Sequence, residues 1–148
     1  MSALKIGILA VQGDFEAHSA KLSDMGVESI EVRTPDDLRD CDGLILPGGE
    51  STTQLQFLRE EGLDKAIRKF AAADKAIFGT CAGAILLAHE VKNPKQDSLN
   101  LLDITVLRNG YGRQVHSDVV TGPSALKNEP GESWHKPGAP LCERRNKP

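Results

Sequence analysis

The chain has 148 residues, of which 39% are hydrophobic and 26% charged, and it carries a net charge of −3 at neutral pH. This suits one globular domain, and the slightly acidic balance supplies no basic face for nucleic acid. The longest apolar run, Ile6 to Val11 with Gly7 inside it, is far too short to cross a bilayer, and no signal-peptide layout precedes it, so a cytoplasmic protein with neither membrane nor nucleic-acid partners is expected.

Leu4 to Val11 reads as an apolar strand, and Phe15 to Met25 as a helix stopped by Gly26, a usual C′ residue. Glu28 to Arg33 alternates as a second strand. Thr34-Pro35-Asp36-Asp37 then supplies the cap, the proline and the first-turn acids of a short helix. Gly43 to Leu46 reads as a short buried strand. It runs into the glycine-rich turn Pro47-Gly48-Gly49-Glu50-Ser51-Thr52-Thr53 and a helix through Arg59, with Ser51 a candidate N-cap. Leu63 to Ala73 is an amphipathic helix. Lys75 to Phe78 leads into Gly79-Thr80-Cys81-Ala82-Gly83, and a helix beginning at Ala82 is expected to end near His89. Lys92 to Ser98 is a polar loop, and Asp103 to Leu107 a further strand. Strands alternating with helices predict an α/β fold: three layers, with a mostly parallel sheet and helices on both faces. In such sheets ligands bind at the carboxyl ends of strands, where Gly49 and Cys81 both fall.

Gly79 to Gly83 carries the most chemical information. A cysteine between two glycines, where an apolar strand becomes a helix, is the sequence form of a nucleophile elbow: the glycines permit a sharp turn that lifts the side chain above the sheet. A thiol so placed faces the positive end of the helix, which favours the thiolate, the form that attacks carbonyl carbon. The competing reading is a small buried cysteine in a tight turn. Amide N–H groups exposed in the turn after Leu46 suit an oxyanion, so a thiol and an amide cradle on neighbouring strand ends make up the parts of an acyl-transfer site. Cys41, ahead of a buried strand, reads as structural. Cys41, Cys81 and Cys142 are odd in number and widely spaced, which fits a reducing compartment and gives no metal-ligand pattern. No metal or cofactor is expected.

Several segments also occur in the order and spacing of a known family: Ile8-Leu9-Ala10-Val11-Gln12-Gly13, His18, Leu46 to Thr53, Phe78-Gly79-Thr80-Cys81-Ala82-Gly83, and Arg108-Asn109-Gly110-Tyr111-Gly112-Arg113-Gln114-Val115. Together they resemble the glutaminase subunits of pyridoxal phosphate synthase, which are class I glutamine amidotransferases. The resemblance covers residues 4–118. It implies that Cys81 attacks the side-chain amide of L-glutamine, forming a glutamyl thioester and releasing ammonia. It further implies that Gly49, Glu50, Ser51 and Arg108 bind glutamine, with Gly49 near the oxyanion; elbow geometry adds the Ala82 N–H as a second oxyanion donor. The ammonia would pass to a separate barrel-shaped synthase subunit and there join a pentose phosphate and a triose phosphate.

The sequence departs from that family beyond residue 118. Members close with a His-Pro-Glu segment whose histidine deprotonates the cysteine and whose glutamate orients the histidine, and no such segment occurs here. The four histidines are His18, His89, His116 and His135, and none precedes a glutamate by two residues. His18 matches a family position without a catalytic role, and His116 stands where the family usually has an acid. Residues 119–148 show no sustained apolar pattern and are expected to form a disordered tail, leaving an incomplete amidotransferase-like domain at 1–118. Three functional readings follow. The chain is a glutaminase subunit of pyridoxal phosphate synthase, a catalytically impaired binding-only version that docks on the synthase, or the glutaminase subunit of another amidotransferase.

Overall fold

The computed structural model describes residues 3–110 in full and, beyond them, only the backbone of three short strands. In chain order the elements are β1 (Lys5–Leu9), α1 (Phe15–Asp24), β2 (Glu28–Val32), a 3-10 turn (Pro35–Leu38), β3 (Gly43–Leu46), α2 (Ser51–Glu60), α3 (Leu63–Ala72), β4 (Ala76–Gly79), α4 (Ala82–Leu87), β5 (Ala88–Lys92) and β6 (Leu102–Leu107). The three further strands are β7 (Val120–Thr121), β8 (Ser133–Trp134) and β9 (Leu141–Arg144).

Strands β1 to β4 form a parallel sheet in the order β2-β1-β3-β4. The chain leaves the central β1 in one direction through α1 to β2, then returns to build β3 and β4 on the other side. Right-handed crossovers place the helices of the two halves on opposite faces. The alternation of side chains shows it. Leu9, Val32, Leu44 and Leu46 point into a core completed by Leu55, Leu58, Leu63, Ile67, Phe70, Leu86 and Leu87 of α2, α3 and α4. The opposite face carries Ile6, Ile8, Ile45 and Phe78, and Ile6, Ile45 and Phe78 border a shallow apolar groove with Leu22 of α1. That face is covered less completely: α1 has no fully buried residue, and Leu4, Met25 and Phe78 are more than half exposed.

Local signals and observed elements agree closely up to the elbow. The short helix after Thr34 is a 3-10 turn fixed by a capping box, in which one oxygen of Asp37 accepts the Thr34 N–H at 2.8 Å. Gly26 follows α1 with φ +71°, as a C′ residue should.

Past the elbow, one expectation needs correction. α4 stops at Leu87, and Ala88 to Lys92 is a strand, so His89 lies on β5 and not at a helix end. Ala88 and Val91 pack with Ile85, Ile104 and Val106 as a second small core. β5 pairs with β6 in parallel, and β6 pairs antiparallel with β9, so these strands make a second sheet instead of extending the first. The connection between β5 and β6 is tied to α4 by Leu99 N–H to Leu86 O and Leu101 N–H to Leu87 O, at 2.7 and 3.0 Å. The expected tail otherwise lies outside the described residues; within it, β7 pairs with β8 and β9 with β6. Among the described residues no helix is long and apolar enough to cross a membrane.

The glycines of the elbow are dictated by contact with backbone. A Cβ on Gly83 would lie 1.9 Å from the carbonyl oxygen of Leu46, whereas one on Gly26 would meet nothing within 4 Å. Gly83→Ala therefore forces the β3 end and the α4 start apart and is expected to cost about 3 kcal/mol or more. Gly26→Ala meets only the strain of a left-handed residue and should cost about 1 kcal/mol. Urea denaturation of the two variants measures the contrast.

Candidate active site

The expected site residues gather at the carboxyl ends of β3 and β4, next to the point where the strand order reverses. In the order β2-β1-β3-β4 the switch lies between β1 and β3, and the crevice beyond their carboxyl ends is where open α/β sheets bind ligands. The turns after β1, β3 and β4 meet there. Leu46 and Gly79 are register partners at the ends of β3 and β4, and the Thr80 N–H donates to Leu46 O at 3.0 Å, continuing the ladder one residue into the elbow.

Cys81 sits at the tip of that elbow with φ +50° and ψ −111°, a conformation a residue with a Cβ rarely adopts. The surroundings enforce it. A Cβ on Gly79 would lie 2.7 Å from the Gly83 carbonyl and 2.8 Å from a methyl of Leu87, so β4 can turn this tightly into α4 only with glycine on both sides of the cysteine. Strain held by such packing is a mark of functional sites. Ala82 opens α4 and is buried, and its amide is among the first-turn N–H groups that a helix does not bond internally.

The turn after β3 is held by two glutamines. Gln54, fully buried on α2, sends its Nε2 towards the carbonyl oxygens of Gln12, Pro47 and Gly48 at 3.3, 3.4 and 3.3 Å. Gln12, after β1, accepts the Glu50 N–H on its side-chain oxygen at 3.1 Å. Gly49, at φ +147°, lies so close to both that a Cβ would stand 2.9 Å from Gln54 Nε2 and 3.2 Å from Gln12 Oε1. Gly13 is tighter still: a Cβ there would meet the Gly48 carbonyl oxygen at 1.8 Å.

Glu50, and not Ser51, caps α2. Its carboxylate accepts the Thr52 and Thr53 N–H groups at 3.2 and 2.7 Å, and both threonine hydroxyls as well. The hydrogen bond from the Thr52 hydroxyl, then the bonds from Thr53, bring the Glu50 pKa down to about 2 from its ordinary 4.5, against an opposing contribution from burial. The longer side chain reaches the N–H groups of the first turn, which frees Ser51: its hydroxyl donates instead to Gln96 Oε1 at 3.0 Å. Arg108, just past β6, donates from Nη1 to the same Gln96 oxygen at 2.6 Å and places Nη2 3.8 Å from the Glu50 carboxylate.

These groups border one cleft of about 160 Å³, lined by Gly49, Glu50, Ser51, Cys81, Ile85, Arg108 and Asn109. All the expected site residues except Ala82 line it directly. Gln12, Gln54, Gln96 and Asn109 support or line it without having been singled out from sequence. Gln54 left a faint trace there, as a polar residue on the apolar side of α2 beside Leu55 and Leu58. Gln96, in a polar loop, left none.

Neither described histidine lines the cleft. His18 Nε2 stands 3.2 Å from the hydroxyl of Thr80, the residue before Cys81, and His89 Nδ1 lies 2.6 Å from Asn100 Oδ1. His116 and His135 lie outside the described residues, as do the side chains of Trp134 and Cys142. Cys41 is fully buried, with its thiol pKa pushed up by burial. Among the described residues no cluster of three or more His, Cys, Asp and Glu is placed to hold a metal.

Two outcomes are expected. Iodoacetamide should alkylate Cys81 and spare Cys41 in the folded chain, as peptide mass spectrometry will show; comparable labelling of Cys41 would contradict its burial. For Glu50 the folded pKa lies below the unfolded one, so its contribution to stability is complete above about pH 4.5 and is lost as pH falls towards about 2. Glu50→Ala should cost about 1 kcal/mol at neutral pH and flatten that acid limb in denaturation curves taken between pH 5 and 2.

Comparison with known proteins agrees with this geometry. The model of the SNO glutamine amidotransferase family matches residues 8–123. A protein of Koribacter versatilis named pyridoxal 5'-phosphate synthase subunit PdxT is 49% identical over 123 residues, which are 83% of this chain and 63% of the relative. The subunits of the same name from Deinococcus radiodurans and Thermotoga maritima are 52% and 50% identical, each over 77% of this chain and 61% of the relative. The chain thus spans about three-fifths of the length of these curated relatives. The crystal structure of a glutamine amidotransferase superposes with a TM-score of 0.72 at 44% identity, over 78% of this chain and 62% of that one. PurLQS from Thermotoga maritima superposes with a TM-score of 0.62 over 96% of this chain and 67% of that one, but at 22% identity the likeness concerns fold alone. With the elbow, the glycine turn and the match over most of its length in agreement, the chain belongs to the SNO glutamine amidotransferase family.

Proposed function

We propose that this chain acts as the glutaminase subunit of a pyridoxal 5'-phosphate synthase, hydrolysing L-glutamine to glutamate and ammonia and passing the ammonia to a separate barrel-shaped synthase subunit. The observation that carries the reading is the convergence of Cys81 with Gly49, Ser51 and Arg108 on one small cleft at the strand ends. The relatives named PdxT support the choice of synthase.

In this reading the cleft holds glutamine with its α-carboxylate towards the Arg108 guanidinium, its ammonium towards Ser51 and the ionised Glu50, and its amide carbon at Cys81. Attack by Cys81 Sγ forms the S–C bond and places negative charge on the former amide oxygen. The N–H groups of Gly49 and Ala82 are the donors for that oxyanion, a contribution worth about 10²- to 10³-fold per donor in related chemistry. Collapse breaks the C–N bond, the nitrogen takes up a proton and leaves as ammonia, and water then hydrolyses the thioester to glutamate. No metal or cofactor takes part in the scheme.

The proton on the thiol must reach the departing nitrogen. In the family that this chain resembles a histidine carries it, whereas no histidine is among the described residues lining the cleft. This observation favours a second reading, in which the chain binds glutamine and docks on the synthase while turning over slowly.

Ammonia release measured with the synthase subunit and glutamine, beside a glutamine titration of the chain alone, separates the readings. Glutamine should bind, and ammonia release should fall about 10²- to 10⁴-fold below that of a relative with a complete triad, with the remainder abolished by Cys81→Ser. A full rate would refute impairment and direct mutagenesis to His116 and His135. Failure to bind glutamine would refute both readings.

A further inference from the structure

The loop between β5 and β6 carries no motif, yet Gln96 within it joins two of the residues that border the cleft. Its side-chain oxygen accepts from the Ser51 hydroxyl at 3.0 Å and from Arg108 Nη1 at 2.6 Å. A guanidinium only donates, so the amide atom facing it must be the oxygen. The nitrogen of the same amide is buried and has no hydrogen-bond partner among the described residues. Buried amide groups are rarely left unpaired, because doing so costs stability. Here the orphaned nitrogen accompanies an arrangement in which one oxygen restrains two cleft residues from different elements, α2 and the end of β6. Breaches of local rules of this kind gather at functional sites.

We infer that Gln96 is a positioning residue for the amino-acid end of the substrate: it pins the Arg108 guanidinium and, by taking the Ser51 hydroxyl proton, leaves Ser51 only lone pairs to offer the ligand. The consequence is a matter of polarity. A hydroxyl whose proton is engaged acts as an acceptor, which suits an ammonium group. Arg108 keeps further N–H donors for a carboxylate. Gln96 therefore matches the two halves of the cleft rim to the two charges of an α-amino acid without touching either. The inference rests on the glutamine reading of the cleft, and its test must separate the two.

The measurement is the rate of Cys81 labelling by a diazo-ketone analogue of L-glutamine across a range of concentrations, which yields a half-saturating concentration and a maximal rate. Iodoacetamide, which has no amino-acid end, serves as the control reagent on the same cysteine. Gln96→Ala should raise the half-saturating concentration about 10-fold or more, the loss expected when hydrogen bonds to a charged group are released. Its maximal rate and its iodoacetamide labelling should stay at the parent level. Gln96→Glu retains an oxygen facing both donors and should regain most of the loss, whereas Gln96→Leu, similar in size without an acceptor, should not.

An unchanged half-saturation in Gln96→Ala, a parallel fall in iodoacetamide labelling, or a Gln96→Glu variant as impaired as Gln96→Ala would each overturn the inference. The parent chain supplies the remaining distinction. Saturable labelling of the parent that ignores Gln96 removes this inference alone, whereas a parent with no saturable labelling removes the glutamine reading and the role of Gln96 with it.

Discussion

The contact between the α-carbon of Gly83 and the carbonyl of Leu46 is the constraint on which the rest of the site depends. It joins the first turn of α4 to the end of β3, and there is no room for a single methyl group between them. With α4 so close to the sheet, the chain leaving β4 has two residues, Thr80 and Cys81, in which to turn, and Cys81 is driven into positive φ. The same approach brings the elbow beside the glycine turn after β3, since Leu46 also accepts the Thr80 N–H. Cys81 and the candidate oxyanion donors are therefore placed by one backbone crossing between adjacent parallel strands. Hydrophobic packing of Leu86 and Leu87 into the main core holds the crossing closed.

Around this crossing the polar groups are arranged by reach. Glu50 has one methylene more than the usual capping residues and lies before the helix, so its carboxylate takes two amides and two hydroxyls of the first turn of α2. That leaves the Ser51 hydroxyl to face Gln96, and it leaves a fixed negative charge on the rim of the cleft near Arg108. Gln54 plays the corresponding role beneath the turn. Buried on an apolar helix face, it gathers the backbone carbonyls of Gln12, Pro47 and Gly48 around one amide nitrogen. A loop rich in glycine is flexible by composition, and these side chains explain how it keeps one shape.

The second sheet shows a different logic. Ala88 and Val91 follow α4 directly and find partners in Ile85, Ile104 and Val106, a small core separate from the main one. The connection from β5 to β6 then passes against the end of α4, bringing Gln96 beside Ser51 and carrying Arg108 to the cleft from the far side. The site is consequently built from five separate parts of the chain: the turns after β1, β3 and β4, and the two loops flanking β6.

Much of this was legible in the residues themselves. The first four strands, the helices between them, the cap and proline at Thr34-Pro35, the elbow at Cys81 and the glycine turn at Gly49 all follow from periodicity and local turn chemistry, because those signals act over a few residues and survive without knowledge of the fold. The resemblance quoted on the same segments placed Arg108 at the site, which spacing alone would have left as a solvated arginine. What tertiary structure decided was whatever depends on distance between chain-remote atoms. Ser51 reads as a cap until Glu50 is seen to reach the first-turn amides, and His89 reads as a helix end until β6 is found alongside Ala88 to Lys92. Gln96 had no signal at all, because the property that matters is one oxygen lying between Ser51 and Arg108, and a pairing across 45 and 12 residues leaves no trace in local pattern. Short-range chemistry is written in the sequence, whereas the partners of a polar side chain are chosen only when the packed backbone brings donors and acceptors within about 3 Å of each other.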